Sequence, residues 1–306
     1  MQLFKPEKLL VYFVFVLLLS GCESLFFWPS KKMVPSPEYF NFTKQDRFFT
    51  SEDGTIIHSW LLPTSKEKRG TIFFLHGNAQ NLSYHVANVY WLIDKGWDIV
   101  IIDYRGYGRS AGKPNFNAVQ KDALAGYHAL LTQHSDKLPI IVWGQSLGAA
   151  VAINLAANLP PEDLPQGLII DSGFSSQRKI MQETLGKSWI TWLFQYPLSW
   201  SVTTEYSPDE AIVKIKDIPL LFVHSANDPL ISSSHAETLF ELANTPKQLW
   251  ISKQQGHITI WNNEEWRERL SCQLSNWPML LPVEDACKPQ NFDPAHKQQY
   301  YFSDIN

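Results

Sequence analysis

A serine, an aspartate and a histidine stand in the order and local context that nucleophilic catalysis requires. Ser146 lies between Gly144 and Gly148 in the pattern G-x-S-x-G, and Asp228 and His257 each follow a later run typical of a strand. A serine hydroxyl is a poor nucleophile near neutral pH, so it needs a histidine base that a carboxylate holds in place. These residues therefore predict a Ser146–His257–Asp228 triad for acyl transfer.

The segment around Ser146 is predicted to turn sharply from a buried strand into a helix. Residues 140–143 are apolar and follow a proline, which suits a strand covered on both faces. A nucleophile on so tight a turn needs neighbours nearly free of side chains, and Gly144 and Gly148 meet this need. Taken alone, the pattern also fits a glycine-rich turn without chemistry, so the rest of the chain has to decide.

The acid and the base of the predicted triad lie in loops that follow predicted strands. Asp228 comes after the strand Pro219–His224, and His257 comes after Lys247–Ser252. Reactive groups collect at the carboxyl ends of strands in parallel sheets, and the chain order serine, acid, base is one of the three common triad orders. Asp171 is the rival acid, because it also ends a predicted strand.

Strand-like and helix-like segments alternate along most of the chain, which demands a mostly parallel sheet with helices on both faces. An Asp-Gly turn at 53–54 predicts an antiparallel hairpin at one edge. Strands are predicted at 46–50, 55–62, 70–75, 97–102, 140–143, 167–171, 219–224 and 247–252, and helices at 83–95, 117–133, 147–159, 234–243 and 260–277. The longer and less regular segment 175–211 is predicted to form a cap.

The chain resembles the α/β-hydrolase superfamily over residues 46–277. The likeness rests on motifs at strand ends: His-Gly-Asn-Ala at 76–79, Asp-Tyr-Arg-Gly-Tyr-Gly at 103–108, the serine motif at 144–148, Asn-Asp-Pro at 227–229 and Gly-His at 256–257. It is most similar to a branch that includes bacterial esterases and eukaryotic acyl-protein and lysolipid hydrolases, in which glycine is commoner at the position of Gln80. The resemblance implies an α/β-hydrolase fold, with a mostly parallel central sheet of about eight strands, helices on both faces and a small helical cap.

The resemblance also implies an oxyanion hole made by two backbone N–H groups, those of Asn78 and Leu147. Such a donor contributes about 3–4 kcal/mol to transition-state stabilisation in systems where one was removed. His76 and Arg105 are predicted to be structural and to shape turns near the site.

These features predict a serine hydrolase that cleaves carboxylic ester or thioester bonds through an acyl-enzyme on Ser146. The cap is strongly aromatic between Trp189 and Trp200. Such a cap would cover an apolar acyl chain or a lipid-like small molecule; alternatively, its rings touch a membrane or pack the cap onto the sheet. Two other functions stay open, a peptidase and a non-catalytic binding or scaffold protein on a hydrolase fold.

The N-terminus has the pattern of a lipoprotein signal peptide. Two lysines precede the apolar run Leu9–Leu19, which as a helix would rise only about 16 Å and would not cross a hydrocarbon core of about 30 Å. The segment Leu19–Cys22 resembles the lipobox of bacterial lipoproteins, in which the signal is cut before the cysteine and the cysteine is acylated. We therefore expect Cys22 to carry the lipid, with an uncleaved N-terminal anchor helix as the alternative.

The lipobox predicts a protein of the bacterial cell envelope that is anchored to a membrane and faces the periplasm. Glu23 follows the cysteine where inner-membrane lipoproteins of enteric bacteria usually have aspartate, which favours the outer membrane. Cys272 and Cys287 then remain as an even pair in a compartment that permits disulfides. We predict a bridge between them, worth roughly 3 kcal/mol, with two free thiols as the alternative.

The chain is thus predicted to comprise a signal peptide (1–21), a linker (22–43), an α/β-hydrolase domain (44–281, with the cap at about 175–211) and a C-terminal tail (282–306). The formal net charge is −4 and 18% of the 306 residues are charged, so nucleic acid is not an expected partner. No Cys/His spacing is typical of zinc, and no glycine-rich phosphate loop follows a strand. We therefore expect no metal and no cofactor.

Overall fold

The computed structural model describes residues 26–34, 43–134, 137–277 and 300–302, and nine strands within them form one continuous sheet. The strands are β1 (Gln45–Thr50), β2 (Ile56–Leu62), β3 (Gly70–Leu75), β4 (Trp97–Ile102), β5 (Ile140–Gln145), β6 (Gly167–Asp171), β7 (Leu220–Asn227), β8 (Lys247–Gln255) and β9 (Tyr300–Phe302). They lie in the order β1-β2-β4-β3-β5-β6-β7-β8-β9. Strands β3 to β8 are parallel, whereas β1, β2 and β9 pair antiparallel at the two edges. The predicted mostly parallel sheet and edge hairpin are confirmed, and the ninth strand comes from the C-terminal segment.

Helices and short 3₁₀ turns fill the connections between the strands. The helices are α1 (Leu82–His85), α2 (Phe116–Gln133), α3 (Leu147–Asn158), α4 (Gln177–Gly186), α5 (Gln195–Ser199), α6 (Pro208–Ile212), α7 (Ser234–Leu242) and α8 (Glu264–Ser275). The 3₁₀ turns are Val86–Asn88, Tyr90–Lys95, Pro161–Asp163, Trp192–Phe194 and Ile260–Asn262.

The central strands are apolar on both faces because each face supports its own core. Along β3, Phe73 and Leu75 join the core under α2, α3, α6 and α7. Their neighbours Ile72 and Phe74 point the other way, into the core under α8 and the turns after α1. This alternation of period two gives every parallel strand two buried faces, so its carboxyl end is the place where it reaches open loops.

Two predicted helices are interrupted in the structure. The segment predicted as one helix at 83–95 is a single turn of α-helix followed by 3₁₀ turns, because valine and asparagine residues at 86–89 favour a helix only weakly. In the segment 260–277, Asn263 caps α8 by accepting the N–H of Glu265, so the helix begins there and the residues before it form a separate turn.

The cap lies between β6 and β7, as predicted, and consists of α4, a 3₁₀ turn and α5. Its aromatic residues are exposed to solvent, with Trp189 at 87% and Trp200 at 67% of their full accessible surface. The alternative that these rings pack the cap onto the sheet is therefore wrong for the side chains between 189 and 200.

The predicted linker lies in part against the domain. Residues 26–34 contact the loop after β3, whereas the predicted signal peptide and Cys22 fall outside the described residues. Cys272 on α8 is disulfide-bonded, and its predicted partner Cys287 also lies outside the described part of the chain. Among the helices that the structure does describe, none combines the length and the hydropathy needed to span a bilayer.

Candidate active site

Ser146 occupies the bend between β5 and α3. It lies where the carboxyl ends of the parallel strands meet the loops, which we call the carboxyl edge of the sheet. Its backbone has φ 55° and ψ −116°, a conformation that is strained for any residue with a side chain. The Ser146 N–H donates a hydrogen bond of 2.8 Å to the carbonyl oxygen of Asp171 at the end of β6. The neighbouring strand thus holds the strained bend in place.

The two glycines around Ser146 stand where no side chain fits. A Cβ on Gly144 would lie 2.2 Å from the carbonyl oxygen of Gly148, and a Cβ on Gly148 would lie 1.9 Å from the carbonyl oxygen of Leu75. Contacts this short do not occur between non-bonded atoms, so both positions require glycine. The requirement inferred from the sequence pattern has this steric origin.

His257 lies in the loop after β8, between Ser146 and Asp228. Its Nε2 is 2.9 Å from Oγ of Ser146, and its Nδ1 is 2.6 Å from Oδ2 of Asp228. Gly256 precedes it with φ 110°, a left-handed conformation that glycine adopts without strain. The structure therefore brings the three predicted residues into one hydrogen-bonded chain.

Asp228 is held as an ionised acceptor. Its Oδ1 accepts the backbone N–H groups of Leu230 and Ile231 at 2.8 and 3.0 Å, and its Oδ2 faces His257. Burial alone would raise the pKa of Asp228, but the hydrogen bond and charge of His257, helped by the two N–H groups, hold this pKa below its ordinary value. A carboxylate so placed fixes the imidazole with its proton on Nδ1.

Asp171, the rival acid, makes no hydrogen bond to His257. Its carboxylate accepts the indole N–H of Trp261 at 2.7 Å, the amide of Gln145 at 2.9 Å and the hydroxyl of Ser172 at 2.9 Å. Burial raises the pKa of Asp171 despite these three donors. The geometry thus gives Asp228, not Asp171, the contact that orients the base.

The two backbone N–H groups predicted to form the oxyanion hole belong to Leu147, directly after Ser146, and to Asn78 in the loop after β3. Within the described chain, neither the Asn78 nor the Leu147 N–H donates to a protein acceptor. The loop that carries Asn78 is close to the bend, since a Cβ on Gly77 would lie 3.3 Å from Cβ of Ser146. Both donors remain available to a ligand, as an oxyanion hole requires.

The side chain of Asn78 is fixed by a segment whose role sequence reasoning missed. Its Oδ1 accepts the backbone N–H of Trp28 at 2.9 Å and the hydroxyl of Tyr107 at 2.8 Å, and its Nδ2 donates to the carbonyl of Phe26. We call residues 26–34 the N-terminal strap. The three prolines and the missing periodicity between Ser24 and Phe42 predicted only a linker, and no local pattern points to a partner about fifty residues away.

The strap also pairs with the residues that follow Asn78. The Ser30 N–H donates to the carbonyl of Gln80 at 2.9 Å, and the Asn81 amide donates to the carbonyls of Ser30 and Lys32 at 3.0 and 2.9 Å. Gln80 has φ 59°, in the left-handed region that glycine adopts most easily, which explains why glycine is commoner at this position in the similar branch.

His76 and Arg105 have the structural roles that the sequence suggested. His76 is fully buried and donates from Nδ1 to the carbonyl of Gly77 at 2.7 Å, and burial lowers its pKa. Arg105 forms ion pairs at 2.7 Å with the buried Asp122 and with Asp53. These contacts shape the loops after β3 and β4.

A second serine–histidine–acid set lies at the base of the cap. His235 Nδ1 is 2.8 Å from Oγ of Ser175, and its Nε2 is 3.1 Å from Glu183. Ser175 is only 1% exposed, and its backbone N–H also donates to the same His235 nitrogen. This set joins the cap to α7 and provides an internal control for experiments on Ser146.

The described residues offer no group of three His, Cys, Asp or Glu side chains arranged to hold a metal ion. A surface depression lined by residues 66–69 and 94–96 lies at the opposite edge of the sheet, just before β3 and β4 begin. Its lining contains no serine, cysteine or histidine, whereas the hydrogen-bonded set of Ser146, His257 and Asp228 lies at the carboxyl edge.

Replacement of Gly148 by alanine tests the steric requirement at the bend. Because the new methyl group would meet the Leu75 carbonyl, we expect the free energy of unfolding in urea to fall by about 1–3 kcal/mol or more. Gly186→Ala is the control: its Cβ would meet only the flexible Gln195 amide, at 3.0 Å, and alanine favours the helix. Equal stability of the two variants would contradict the steric account.

Comparisons with known proteins agree with this description. Residues 66–212 match the family model described as serine aminopeptidase, S33. The chain is 28% identical over 278 residues to protein YfhR of Escherichia coli K12, covering 88% of this chain and 89% of that protein. It is 30% identical over 259 residues to protein bem46 of Schizosaccharomyces pombe, covering 82% and 79% of the two chains.

The fold is also similar to a solved structure, that of the Pyrococcus furiosus esterase Pf2001. The TM-score is 0.66 at 23% sequence identity, and the match covers 82% of this chain and 99% of the esterase. At this level of identity the likeness concerns the fold, and it confirms the predicted α/β-hydrolase architecture.

Proposed function

Because the chain belongs to the α/β-hydrolase family, we propose that it is a serine hydrolase that cleaves carboxylic ester or thioester bonds of an apolar acyl substrate. The observation that carries the proposal is the continuous contact from Asp228 through His257 to Ser146, with distances of 2.6 and 2.9 Å. Ser146, His257 and Asp228 are the proposed nucleophile, base and orienting acid.

In the proposed mechanism, Oγ of Ser146 attacks the substrate carbonyl carbon while Nε2 of His257 takes the hydroxyl proton. A C–O bond forms and the carbonyl electron pair moves onto oxygen, where the N–H groups of Asn78 and Leu147 stabilise the negative charge. The pair then returns, the bond to the leaving group breaks, and the leaving group takes the proton from His257.

Deacylation follows the same route with water as the nucleophile. His257 takes a proton from water, the oxygen attacks the acyl carbon, and the ester bond to Ser146 breaks as His257 returns the proton to Oγ. Asp228 keeps the histidine proton on Nδ1 in both halves of the cycle, so that Nε2 faces the reacting oxygen.

A peptidase is the second candidate, because the matching family model is described as a serine aminopeptidase. An aminopeptidase has to recognise a free α-ammonium group, for which a carboxylate is the natural partner. The cap has no acidic residue between Glu183 and Glu205, and Glu183 is bonded to His235. This composition favours an apolar acyl group over a free amino terminus. A series of para-nitrophenyl esters of increasing chain length, run beside aminoacyl-naphthylamides, separates the two activities.

We further propose that the protein is a lipoprotein of the bacterial cell envelope, anchored through Cys22 and facing the periplasm, with the outer membrane favoured by Glu23. The support is the apolar run Leu9–Leu19, whose last residue begins the segment Leu-Ser-Gly-Cys at 19–22.

A non-catalytic scaffold is the remaining alternative to a hydrolase. The intact hydrogen-bonded set of Ser146, His257 and Asp228 argues against it.

A fluorophosphonate probe tests the nucleophile directly. The native protein is expected to be labelled, and Ser146→Ala is expected to lose both the label and at least about 10⁴-fold in turnover of a para-nitrophenyl ester. Ser175→Ala, which removes the other serine bonded to a histidine, should be labelled like the native protein. Equal labelling of Ser146→Ala would refute the proposal.

The assignment of the acid is tested by two isosteric changes. Asp228→Asn should lower kcat by about 10⁴-fold, because an amide no longer fixes the proton on Nδ1 of His257. Asp171→Asn keeps an oxygen for Trp261 and Gln145 and should leave kcat within a few-fold of the native value. Steady-state kinetics on the same ester compare the two, and a similar loss in both variants would reverse the assignment.

Lipidation is tested by metabolic labelling. When the full chain is produced in a Gram-negative host with radiolabelled palmitate, we expect label on the native protein and none on Cys22→Ala. Cys272→Ala serves as the matched control and should be labelled normally. Palmitate-free native protein would instead favour the uncleaved N-terminal anchor.

A further inference from the structure

The outer surface of the cap carries a dense group of large apolar side chains that face solvent. We call it the aromatic cap surface; it consists of Trp189, Ile190, Trp192, Leu193, Phe194, Tyr196 and Trp200. Leu193 is 70% exposed, and all seven side chains keep about half or more of their accessible surface. Contiguous exposed apolar residues of this kind mark sites of interaction with proteins, ligands or membranes.

The composition of this surface fits the interface of a lipid bilayer. Tryptophan and tyrosine are the residues enriched at that depth, since their rings are apolar at one end and polar at the other. No acidic side chain occurs between Glu183 and Glu205, so nothing in this stretch would be repelled by anionic headgroups.

The aromatic cap surface belongs to the same edge of the sheet as Ser146. The cap leaves the sheet at the carboxyl end of β6, beside β5. Nζ of Lys187, at the end of α4, donates to the carbonyls of Pro229 and Leu230 at 2.9 and 3.0 Å. The aromatic cap surface therefore begins two residues after Lys187, which contacts the loop that carries Asp228.

The N-terminal strap reaches this edge as well. Its first described residue, Phe26, lies against Phe116 with ring centroids 5.1 Å apart, and its carbonyl accepts the amide of Asn78. The chain that carries the apolar run Leu9–Leu19 consequently enters the domain at the loops around Ser146, not at the opposite edge.

This docking shortens the reach of the proposed anchor. A free linker from Cys22 to residue 43 would span up to roughly 70 Å, whereas the four steps from Cys22 to Phe26 span at most about 14 Å. With a lipid on Cys22, the carboxyl edge has to stay close to the headgroups. This limit on the distance to the membrane rests on the proposed lipidation, whereas the exposure and the composition of the aromatic cap surface are independent of it.

We infer that the aromatic cap surface inserts into the bilayer interface, so that the edge carrying Ser146 faces the membrane. The aromatic rings would contact the lipid surface directly. A lipid on Cys22 would limit the distance between the domain and the membrane, and the inserted cap would orient the edge that carries Ser146 toward it.

Quenching of tryptophan fluorescence by brominated lipid tests this inference without any need for turnover. The full chain is reconstituted in vesicles of phosphatidylethanolamine and phosphatidylglycerol, with or without bromine on the upper acyl carbons. Of the twelve tryptophans, three belong to the aromatic cap surface, and all the others except Trp28 are buried. We expect bromine to quench part of the emission, and the triple variant Trp189→Phe, Trp192→Phe, Trp200→Phe to lose most of that quenching.

A charge variant separates insertion from mere tethering. Ile190→Glu with Leu193→Glu keeps all three reporters but places two carboxylates where the rings would enter, and it should lose the quenching while the lipid anchor remains. Val213→Glu with Leu242→Glu adds the same charge at two exposed apolar positions near the starts of β7 and β8, at the opposite edge of the sheet, and this variant should be quenched like the native protein. Circular dichroism and thermal unfolding confirm that both variants are folded.

Two outcomes would overturn the inference: either bromine does not quench the native protein, or it quenches the Ile190→Glu, Leu193→Glu variant as strongly as the native protein. If no form is quenched and the charge variant abolishes a dimer in detergent, the surface binds a second copy of the chain; if the charge variant instead raises KM for a soluble ester, the surface binds the acyl chain. Loss of esterase activity in Ser146→Ala, which leaves the quenching unchanged, tests the proposed function separately.

Discussion

The close passage of the chain segments around Ser146 constrains the rest of the site. Helix α3 can begin directly against β3 only because Gly148 leaves room for the carbonyl of Leu75, 1.9 Å from where a Cβ would stand. This approach forces Ser146 into a strained conformation, and the hydrogen bond of its N–H to Asp171 holds it there. The serine hydroxyl, the loop of Asn78 and the base then meet at a single edge of the sheet.

Buried carboxylates near this edge have different tasks because they have different partners. Asp171 accepts the indole N–H of Trp261 and braces the sheet. Asp103 accepts the backbone N–H at the start of α1 and so fixes the loop after β3. Asp228 alone, among these three, faces a histidine that also reaches Ser146: His257, whose hydrogen bond and charge, together with two backbone N–H groups, offset burial and lower the pKa of Asp228. Position at a strand end made both Asp171 and Asp228 candidates, and only the geometry distinguishes them.

The sequence predicted the features that depend on neighbouring residues, and it did not predict contacts between segments that lie far apart in the chain. Short apolar runs and their order predicted the parallel sheet, and the glycines around Ser146 predicted the bend, because each signal lies within a few residues. The docking of the N-terminal strap joins backbone groups to Asn78 across about fifty residues, and backbone hydrogen bonds leave no trace in residue types. The exposure of the rings between Trp189 and Trp200 was equally hidden, since an aromatic run without clear periodicity fits a buried core as well as a surface.

The hydrogen bonds of the N-terminal strap offset the conformational strain in the loop that carries Asn78. Ala79 and Gln80 have φ 66° and 59°, and a left-handed residue with a side chain costs about 1–2 kcal/mol. The strap supplies hydrogen bonds from Trp28 and Ser30 and accepts one from the Asn78 amide, each worth about 0.5–1.5 kcal/mol. The two sums are similar, so the loop keeps its strained form largely because the strap is docked. The segment that leads toward the proposed lipid anchor thus also holds the loop of Asn78 beside Ser146, so the proposed anchoring and the proposed catalysis would share a structural element.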